Sequence, residues 1–493
     1  GEVFETNFLW VANSGEGTVS KVHTTNLREV ARYPSVGGNS AGLLANQEHS
    51  PSRTAIDLVG DAYVANRFFE GQGSVTKIAT RQEDCVDRNR NGRIDTSRDA
   101  NSNGIIDLND PNEFVGQDDE CIIWTVPVGR SGAVPRALAV DLGDANSPNG
   151  NVWVGCFEER KFYKLSGVDG SLVVGLPNPV SVAHSPYGAV LDADSILWST
   201  NLGTGFVPPS TLVGVDTLTH RAGAAIAFPR SGSYGIALDG RGRLWFGGFF
   251  ARLLTSYDPR NDAGGQPVAD PLVGGGAWRH ITTANMVRGV SADGQGRIWA
   301  ATNEGGSVAA WDTDTLQSLG NYRIGGAGAV GVGVDFQGYI WGISQSGNLA
   351  TRIDPDGILP NADVSVGQSP YTYSDFSGFS LRQFARPRGT YRQVIMGCDK
   401  MHTAWESFDA DTVVPPGTRI TFSVRVGATE AEVLTGGTRL GPWSVTHTDS
   451  ELPGDLFEAP TDPYMAIEVQ MTSNDPQVTP LLRGFSVYYD CNP

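Results

Sequence analysis

The sequence predicts an all-β fold, and three observations favour that prediction. Glycine and proline are abundant, with 62 and 28 residues in a chain of 493. Clusters of Gly, Asn, Asp and Ser separate short runs of Val, Ile, Leu, Tyr and Trp, a pattern typical of strands joined by turns. These runs lack the periodicity of amphipathic helices. The chain is also long enough to form two domains, each with its own core.

The charge of the chain restricts its partners. The formal net charge is -18 and the pI is about 4.8, so nucleic acids and anionic membrane surfaces would be repelled, whereas metal cations would be attracted. The sequence contains no run of 18 apolar residues, so no transmembrane segment is predicted. The sequence begins Gly1-Glu2-Val3, from which we expect a mature, processed protein that is secreted, extracellular or on the cell surface.

An aromatic residue recurs within a short strand pattern along most of the chain. The intervals suit a unit of four strands, except that the interval before the third copy is long enough to contain an insertion. The seven aromatic residues are Trp10, Tyr63, Trp153, Trp198, Trp245, Trp299 and Trp341.

A second strand pattern precedes six of these motifs and ends at Asp57, Asp141, Asp192, Asp239, Asp293 and Asp335. The segment from Ser369 to Asp375 repeats the pattern of residues 185–192 and supplies a seventh copy near the end of the repeats. We therefore predict a seven-bladed β-propeller over residues 1–378, closed by strands from both ends. A β-helix or open solenoid is the alternative architecture.

The run Tyr234-Gly235-Ile236-Ala237-Leu238-Asp239-Gly240-Arg241-Gly242-Arg243-Leu244-Trp245-Phe246 resembles the repeats of streptogramin (virginiamycin B) lyase-like propellers, within the superfamily that includes NHL-type propellers. In that family the active centre uses histidines, a glutamate and a magnesium ion. Three residues after each aromatic, where the family often has glutamate, this chain has Asn13, Asn66, Cys156, Asn201, Gly248, Thr302 and Ser344. None of these residues is a carboxylate, which favours a protein that is not an enzyme.

The starts of the inner strands carry no histidine either. Most carry arginine or tyrosine, and we predict that these side chains meet at the axial mouth of the propeller as partly exposed groups. The ring is predicted to bind a small anionic or saccharide ligand, because guanidinium groups pair with anions and tyrosine rings stack on sugars. The alternative is that the side chains plug the channel. The six residues are Arg53, Arg136, Tyr187, Tyr234, Arg288 and Tyr371.

Residues 87–95 and 99–107 both have the pattern D-x-N-x-N-G-x-I-D. Oxygen ligands at positions one, three, five and nine, a carbonyl at seven and a glycine at six are typical of a Ca²⁺ loop. The loops resemble thrombospondin type 3 or dockerin-type repeats, and we expect Kd values on the order of 10⁻⁵ to 10⁻³ M. The predicted ligands are Asp87, Asn89, Asn91, Arg93, Asp95, Asp99, Asn101, Asn103, Ile105, Asp107 and Asp110.

The calcium loops lie in residues 83–121, which we interpret as an insertion attached to blade two alone, on the face opposite the axial mouth. The cysteines predict disulfides Cys85–Cys121 and Cys398–Cys491, with Cys156 as a buried free thiol, as suits an oxidising compartment. Three strands of alternating polarity predict a β-sandwich over residues 379–493.

Together these features predict a secreted, calcium-binding protein that acts in ligand binding, adhesion or surface assembly, with a protein partner or by self-assembly. The alternative is a lyase or hydrolase of the propeller superfamily with its active site at the axial mouth.

Overall fold

The computed structural model describes residues 7–37, 49–144, 146–203, 209–384, 388–398, 402–416, 418–435, 437–445, 456, 459–473 and 478–492. Its secondary structure is nearly all β, as the turn-rich sequence predicts. The chain divides into two compact units, Gly1–Ala385 and Arg386–Pro493. The helices in the described part of the chain are too short or too polar to cross a membrane.

The first unit contains antiparallel sheets whose strands follow one another in the chain. The first sheet has three strands, β1 (Phe8–Asn13), β2 (Thr18–His23) and β3 (Arg28–Pro34). The second consists of β4 (Ser50–Ile56), β5 (Ala62–Arg67), β6 (Ser74–Ile78) and β7 (Ile122–Pro127). The third consists of β8 (Pro135–Val140), β9 (Val152–Cys156), β10 (Lys161–Leu165) and β11 (Val180–Ser181).

Four further sheets repeat the same four-stranded order. They are β12 (Gly188–Leu191), β13 (Ile196–Thr200), β14 (Thr211–Asp216) and β15 (Ile226–Ala227); β16 (Ile236–Leu238), β17 (Leu244–Gly247), β18 (Leu253–Asp258) and β19 (Ala277–Thr282); β20 (Val287–Ala292), β21 (Arg297–Thr302), β22 (Ser307–Asp312) and β23 (Ser318–Arg323); and β24 (Ala329–Val334), β25 (Ile340–Ser344), β26 (Leu349–Ile353) and β27 (Ala362–Ser365). Repeated sheets of this kind define a β-propeller. A short helix, α1 (Phe379–Phe384), follows them.

The two sequence motifs of each repeat form one structural unit. The aspartate after the first strand accepts a hydrogen bond from the aromatic residue in the second strand, and its other oxygen accepts from backbone N–H groups in the turn between them. The indole pairs are Trp153–Asp141 at 3.0 Å, Trp198–Asp192 at 2.8 Å, Trp245–Asp239 at 2.8 Å, Trp299–Asp293 at 2.9 Å and Trp341–Asp335 at 2.8 Å, and the Tyr63 hydroxyl lies 3.2 Å from Asp57. Each of these six buried aromatics therefore has a partner for its polar atom, whereas the buried Nε1 of Trp10 has none among the described residues.

The segment around Tyr371 lies beside β1. The Tyr371 N–H donates to the Ala12 carbonyl at 2.8 Å, and the Trp10 N–H donates to the Phe376 carbonyl at 2.9 Å. The hydroxyl of Thr372 accepts from the Ala12 N–H at 2.6 Å. The end of the repeats is thus hydrogen-bonded to their beginning.

The insertion leaves the second sheet between β6 and β7, but it is not attached to that sheet alone. The Asp99 N–H donates to the Val30 carbonyl in β3 at 2.9 Å, and Arg28 donates to the Ser102 carbonyl at 3.2 Å. Ile106, from the second loop, is buried. The prediction that the insertion attaches to a single blade is therefore wrong, because it also packs against the outer strand of the first sheet.

The second unit contains one four-stranded and one two-stranded antiparallel sheet. The strands are β28 (Arg388–Met396), β29 (His402–Val413), β30 (Thr418–Gly427), β31 (Thr438–Val445), β32 (Tyr464–Ser473) and β33 (Leu481–Asn492), with a short helix, α2 (Glu430–Thr435). The larger sheet has the order β28-β32-β30-β31, and β29 pairs with β33. Phe408 of β29 and Phe422 of β30 belong to one buried apolar cluster, so both sheets contribute to one core.

Both predicted disulfides are confirmed, Cys85–Cys121 in the insertion and Cys398–Cys491 in the second unit. Cys156 is a buried free thiol in β9. Burial raises the pKa of this thiol, which makes it a poor nucleophile.

Candidate functional site

The fold brings the six residues predicted for the axial mouth into one cluster, here called the axial cluster. Arg136 in β8 and Arg288 in β20 lie where the register of the inner strand shifts against its neighbour, and the register of β4 shifts next to Arg53. A bulge of this kind redirects a side chain from the face it would otherwise occupy. Register shifts near the starts of β8, β20 and β4 thus direct the arginines of three sheets toward the same cluster.

Arg136 makes the contacts that connect the cluster. One terminal nitrogen, Nη2, lies 2.8 Å from the Tyr187 hydroxyl, 3.3 Å from that of Tyr373 and 3.4 Å from that of Tyr371. Its guanidinium carbon lies 4.2 Å from the centre of the Tyr187 ring. One cation therefore holds phenols from two separate parts of the chain.

Arg53 and Arg288 extend the cluster to either side. Arg53 donates to the backbone carbonyls of Tyr373 at 3.1 Å and Tyr187 at 3.0 Å, and its guanidinium carbon lies 3.7 Å from the centre of the Tyr373 ring. Arg288 donates to the Tyr234 hydroxyl at 2.7 Å and to Asn303 at 2.9 Å. The Tyr234 hydroxyl is in turn hydrogen-bonded to that of Tyr371.

Two members of the cluster were not predicted from the sequence. Tyr373 is fully buried between Arg53 and Arg136, and Arg67 lies with its guanidinium carbon 4.9 Å from the centre of the Tyr371 ring. The alternation of Tyr371 and Tyr373 was a signal in the sequence. Arg67 directly follows Asn66, and the repeat pattern relates only the position of Asn66 to those of the other sheets.

The axial cluster is buried, in contrast to the prediction of partly exposed groups. Arg53 is 1% exposed, Arg136 9%, Arg288 8%, Tyr187 1% and Tyr234 4%. Tyr371 is half-buried and lies nearest the solvent. The expectation of partly exposed guanidinium groups at Arg136 and Arg288 is therefore wrong, because interlocked arginine and tyrosine side chains enclose them.

The charges of the cluster are not balanced by acids. Among the described residues, none of the four arginines forms an ion pair with a carboxylate. Burial raises the pKa of Tyr373, but the guanidinium groups of Arg53 and Arg136 outweigh this effect and lower it to about 7. Burial raises the pKa values of Tyr187 and Tyr234. Tyr373 is thus the phenol that ionises most readily of these three.

The two predicted calcium loops have the same local conformation. Oδ2 of Asp87 accepts from the Gly92 N–H at 2.9 Å, and Oδ2 of Asp99 accepts from the Gly104 N–H at 2.9 Å. The N–H at position five donates to the asparagine side chain at position three at 2.9 Å in each loop. The glycines have φ angles of 83° and 78°, which explains why both loops have glycine at position six.

Two side-chain amide groups of the first loop converge on the carboxylate of Asp95. Its Oδ2 accepts hydrogen bonds from the side-chain amides of Asn89 at 2.7 Å and Asn91 at 2.6 Å, and these bonds lower the Asp95 pKa. Buried Glu120 accepts from the Asn89 N–H at 3.1 Å and the Asp95 N–H at 2.9 Å. The asparagines and Asp95 therefore lie on one side of a braced loop.

The second loop has a similar brace. Glu113 is 1% exposed and accepts from the Asp107 N–H at 2.9 Å, while Asp110 accepts from the Asn112 N–H at 2.9 Å. Ile105, predicted to act through its carbonyl, has a side chain that is 52% exposed. In the part of the chain that the structure describes, no three His, Cys, Asp or Glu side chains are grouped to hold a metal.

The fold and this cluster define a β-propeller with a buried arginine–tyrosine centre. No model of a known family matches the chain, and no curated protein matches it. Solved structures similar to it include virginiamycin B lyase from Staphylococcus aureus, with 11% identity over 65% of this chain and 86% of that one and a TM-score of 0.43. They also include a protein from Lactobacillus plantarum, with 12% identity over 74% and 98% and a TM-score of 0.48.

A third similar structure is a β-propeller domain from Myceliophteria thermophila, with 10% identity over 69% of this chain and 91% of that one and a TM-score of 0.45. The family that the repeats resemble is thus among the similar solved structures. The similarity is one of fold, and the activity in the name of the lyase is that of the other protein.

Proposed function

We propose that this chain is a secreted, calcium-binding, seven-bladed propeller that acts as a ligand-binding, adhesive or surface-assembly protein. The observation that carries the proposal is the composition of the axial cluster. Its described members are guanidinium and phenol groups held by one another, rather than a carboxylate or histidine placed as a general base beside a metal. This composition suits recognition of an anion, and it disfavours the alternative of a lyase or hydrolase at the axial mouth.

Seven blades are the count that the sheets support best. Six four-stranded sheets are described in the first unit, and the segment beside β1 would supply the inner strand of the three-stranded sheet. The hydrogen bonds of Tyr371 and Phe376 with β1 would close the ring. In the second unit, the shared apolar core of the two sheets supports a β-sandwich.

The residues of the two loops fit calcium. Carboxylate and amide oxygens at the predicted positions are ligands that Ca²⁺ prefers, and bound Ca²⁺ would offset the repulsion between neighbouring acids. Asp87, Asn89, Asn91 and Asp95 would hold one ion and Asp99, Asn101, Asn103 and Asp107 another, with the Arg93 and Ile105 carbonyls and Asp110 as further ligands.

Secretion is supported by the two disulfides, which persist in oxidising compartments. The axial ligand is proposed to be a small anion or saccharide, because Arg136 is surrounded by phenols and has no acidic partner among the described residues. In an adhesive or surface-assembly role, the chain would also bind a protein partner or further copies of itself.

Calorimetry on the full chain tests the two binding activities separately. Titration with Ca²⁺ is expected to give Kd values on the order of 10⁻⁵ to 10⁻³ M, and Asp87→Ala with Asp99→Ala is expected to abolish the heat. Asp118→Ala is the matched control, because this exposed acid lies outside both loops. No Ca²⁺ binding by the native chain would refute the calcium proposal.

Citrate serves as the probe for the axial cluster in calcium-saturated protein. Arg136→Lys keeps the charge but removes the fork of donors, so citrate binding is expected to fall about tenfold or more while the thermal transition stays cooperative. Equal citrate binding by the native chain and the Arg136→Lys variant would refute an axial anion site, and so would no binding by the native chain.

A further inference from the structure

A row of aromatic side chains extends from the axial cluster into solvent. Phe69 is 61% exposed and Phe250 is 49% exposed. Each lies in the loop between the second and third strands of its sheet, Phe69 between β5 and β6 and Phe250 between β17 and β18. Because Arg67 at the end of β5 pairs with Ser50 at the start of β4, the loop with Phe69 lies on the face where the inner strands begin.

Successive contacts connect the two exposed rings through the half-buried Tyr371. The guanidinium carbon of Arg67 lies 5.6 Å from the centre of the Phe69 ring and 4.9 Å from that of Tyr371. The guanidinium carbon of Arg288 lies 5.5 Å from the Tyr371 ring centre and 5.3 Å from that of Phe249. The rings of Phe249 and Phe250 are 4.1 Å apart. We call these six residues the mouth row; they are Phe69, Arg67, Tyr371, Arg288, Phe249 and Phe250.

The charge of the row is opposite to that of the whole chain. The formal net charge is -18, yet neither arginine of the row has a carboxylate partner among the described residues. The nearby acid Glu304 is paired with Arg252 at 2.8 Å. Arg67 and Arg288 are each 8% exposed, so the row presents an incoming anion with a positive field. Phe69 and Phe250 add exposed apolar ring surface beside that field.

We propose that the mouth row binds an acidic saccharide, with sugar rings stacked on Phe69, Tyr371 and Phe250 and sugar carboxylates held in the positive field of Arg67 and Arg288. This inference rests on the proposed axial ligand site and names its substrate class. The field of two arginines without acidic partners attracts carboxylates, and the aromatic rings of the row present flat apolar surfaces beside it. A neutral saccharide would leave the cations without a counter-charge, and a small anion would leave the exposed rings unused.

Calorimetry with three probes tests the inference on the calcium-saturated full chain. Trigalacturonate is the acidic saccharide, maltotriose the neutral one and citrate the simple anion. We expect trigalacturonate to bind at least tenfold more tightly than maltotriose, and more weakly as salt is added. Phe69→Ala with Phe250→Ala should weaken trigalacturonate binding at least tenfold and leave citrate binding unchanged. The control is Val174→Ala with Ile358→Ala, at apolar residues that are 88% and 81% exposed.

The outcomes separate this inference from the proposed anion site. Citrate binding without tighter trigalacturonate binding would overturn the saccharide inference and leave the axial anion site standing. Absence of binding by both probes would overturn both proposals. Equal binding of maltotriose and trigalacturonate would overturn the requirement for acidic groups, and an unaffected phenylalanine variant with a native thermal transition would overturn the role of the row.

Discussion

The carboxylate of Asp239 stabilises a turn, an indole and a cation together. It accepts from Trp245 Nε1 at 2.8 Å and from Arg243 Nε at 2.8 Å, and its other oxygen accepts from the N–H groups of Arg241 and Arg243. Since Asp239 and Trp245 are both buried, removal of the carboxylate would leave the indole and the guanidinium without this acceptor. The same arrangement of aspartate and aromatic recurs in other sheets, so one substitution tests a repeated contact.

We expect Asp239→Ala to lower the free energy of unfolding by about 2–4 kcal/mol, because a buried charged acceptor is lost while its donors remain. Asp356→Ala is the control; this acid is 66% exposed and lies 3.7 Å from Arg297, so its loss should cost less than about 1 kcal/mol. Denaturant unfolding measures both effects. Equal, small effects would contradict a structural role for the Asp–Trp pair.

Ionisation of Tyr373 should make stability depend on pH. Its pKa is about 7 in the folded chain and about 10 in an unfolded chain, so its contribution to folding is lost as pH falls through 7 and grows between 7 and 10. We therefore expect the stability difference between the native chain and Tyr373→Phe to increase over this range. Ultraviolet absorption of tyrosinate during titration gives a second measurement. Tyr257→Phe is the control, because burial raises the pKa of Tyr257; an identical pH profile for both variants would contradict the prediction.

At the residue scale, the sequence could identify six members of the axial cluster, but neither Tyr373 and Arg67 nor the burial of the cluster. Arg136, Tyr187 and Arg288 could be predicted as members because they occupy similar positions in different repeats. Burial depends on three bulged inner strands and on Tyr373, which lies between Arg53 and Arg136. These are consequences of packing between sheets, and no local pattern in the sequence contains them.

At the scale of elements, the insertion connects two sheets. Its disulfide and the apolar residue Ile122 share a buried cluster with Trp10 and Tyr33 of the first sheet. The paired Asp-Asn motifs could be predicted because ligand spacing is local in sequence. The contact with β3 could not be predicted. The backbone hydrogen bond from Asp99 to Val30 joins two segments that have no related sequence pattern.

Removal of calcium should therefore loosen β3 as well as the insertion. With EGTA, we expect amide hydrogen exchange to rise in residues 83–121 and in β3, since Asp99 and Ser102 would no longer be held against that strand. β23 (Ser318–Arg323) is the control, because it is the last strand of a sheet that carries no such insertion. Unchanged exchange in β3 would contradict the coupling between the loops and the first sheet.

At the scale of the whole molecule, the first unit depends on contacts between distant parts of its sequence. Ala12 and Thr372 are separated by 360 positions, so loop-closure entropy opposes their pairing until the intervening sheets have formed. The repeats predict seven blades, because a segment near residue 370 has the pattern that the first repeat lacks. The side-chain hydroxyl that joins Thr372 to β1 is specific to this junction and has no counterpart in the repeat pattern.

We expect Thr372→Val to destabilise the first unit by about 1–3 kcal/mol, because the buried Ala12 N–H would lose its acceptor while the volume of the side chain is kept. The loss should appear as an earlier unfolding transition of the propeller, with the transition of residues 386–493 unchanged. Differential scanning calorimetry can separate the two transitions. Thr219→Val is the control, since Thr219 lies in an exposed turn and its replacement should leave both transitions in place. Equal shifts in both transitions, or no shift in either, would contradict the prediction that the contact between Thr372 and β1 stabilises the first unit.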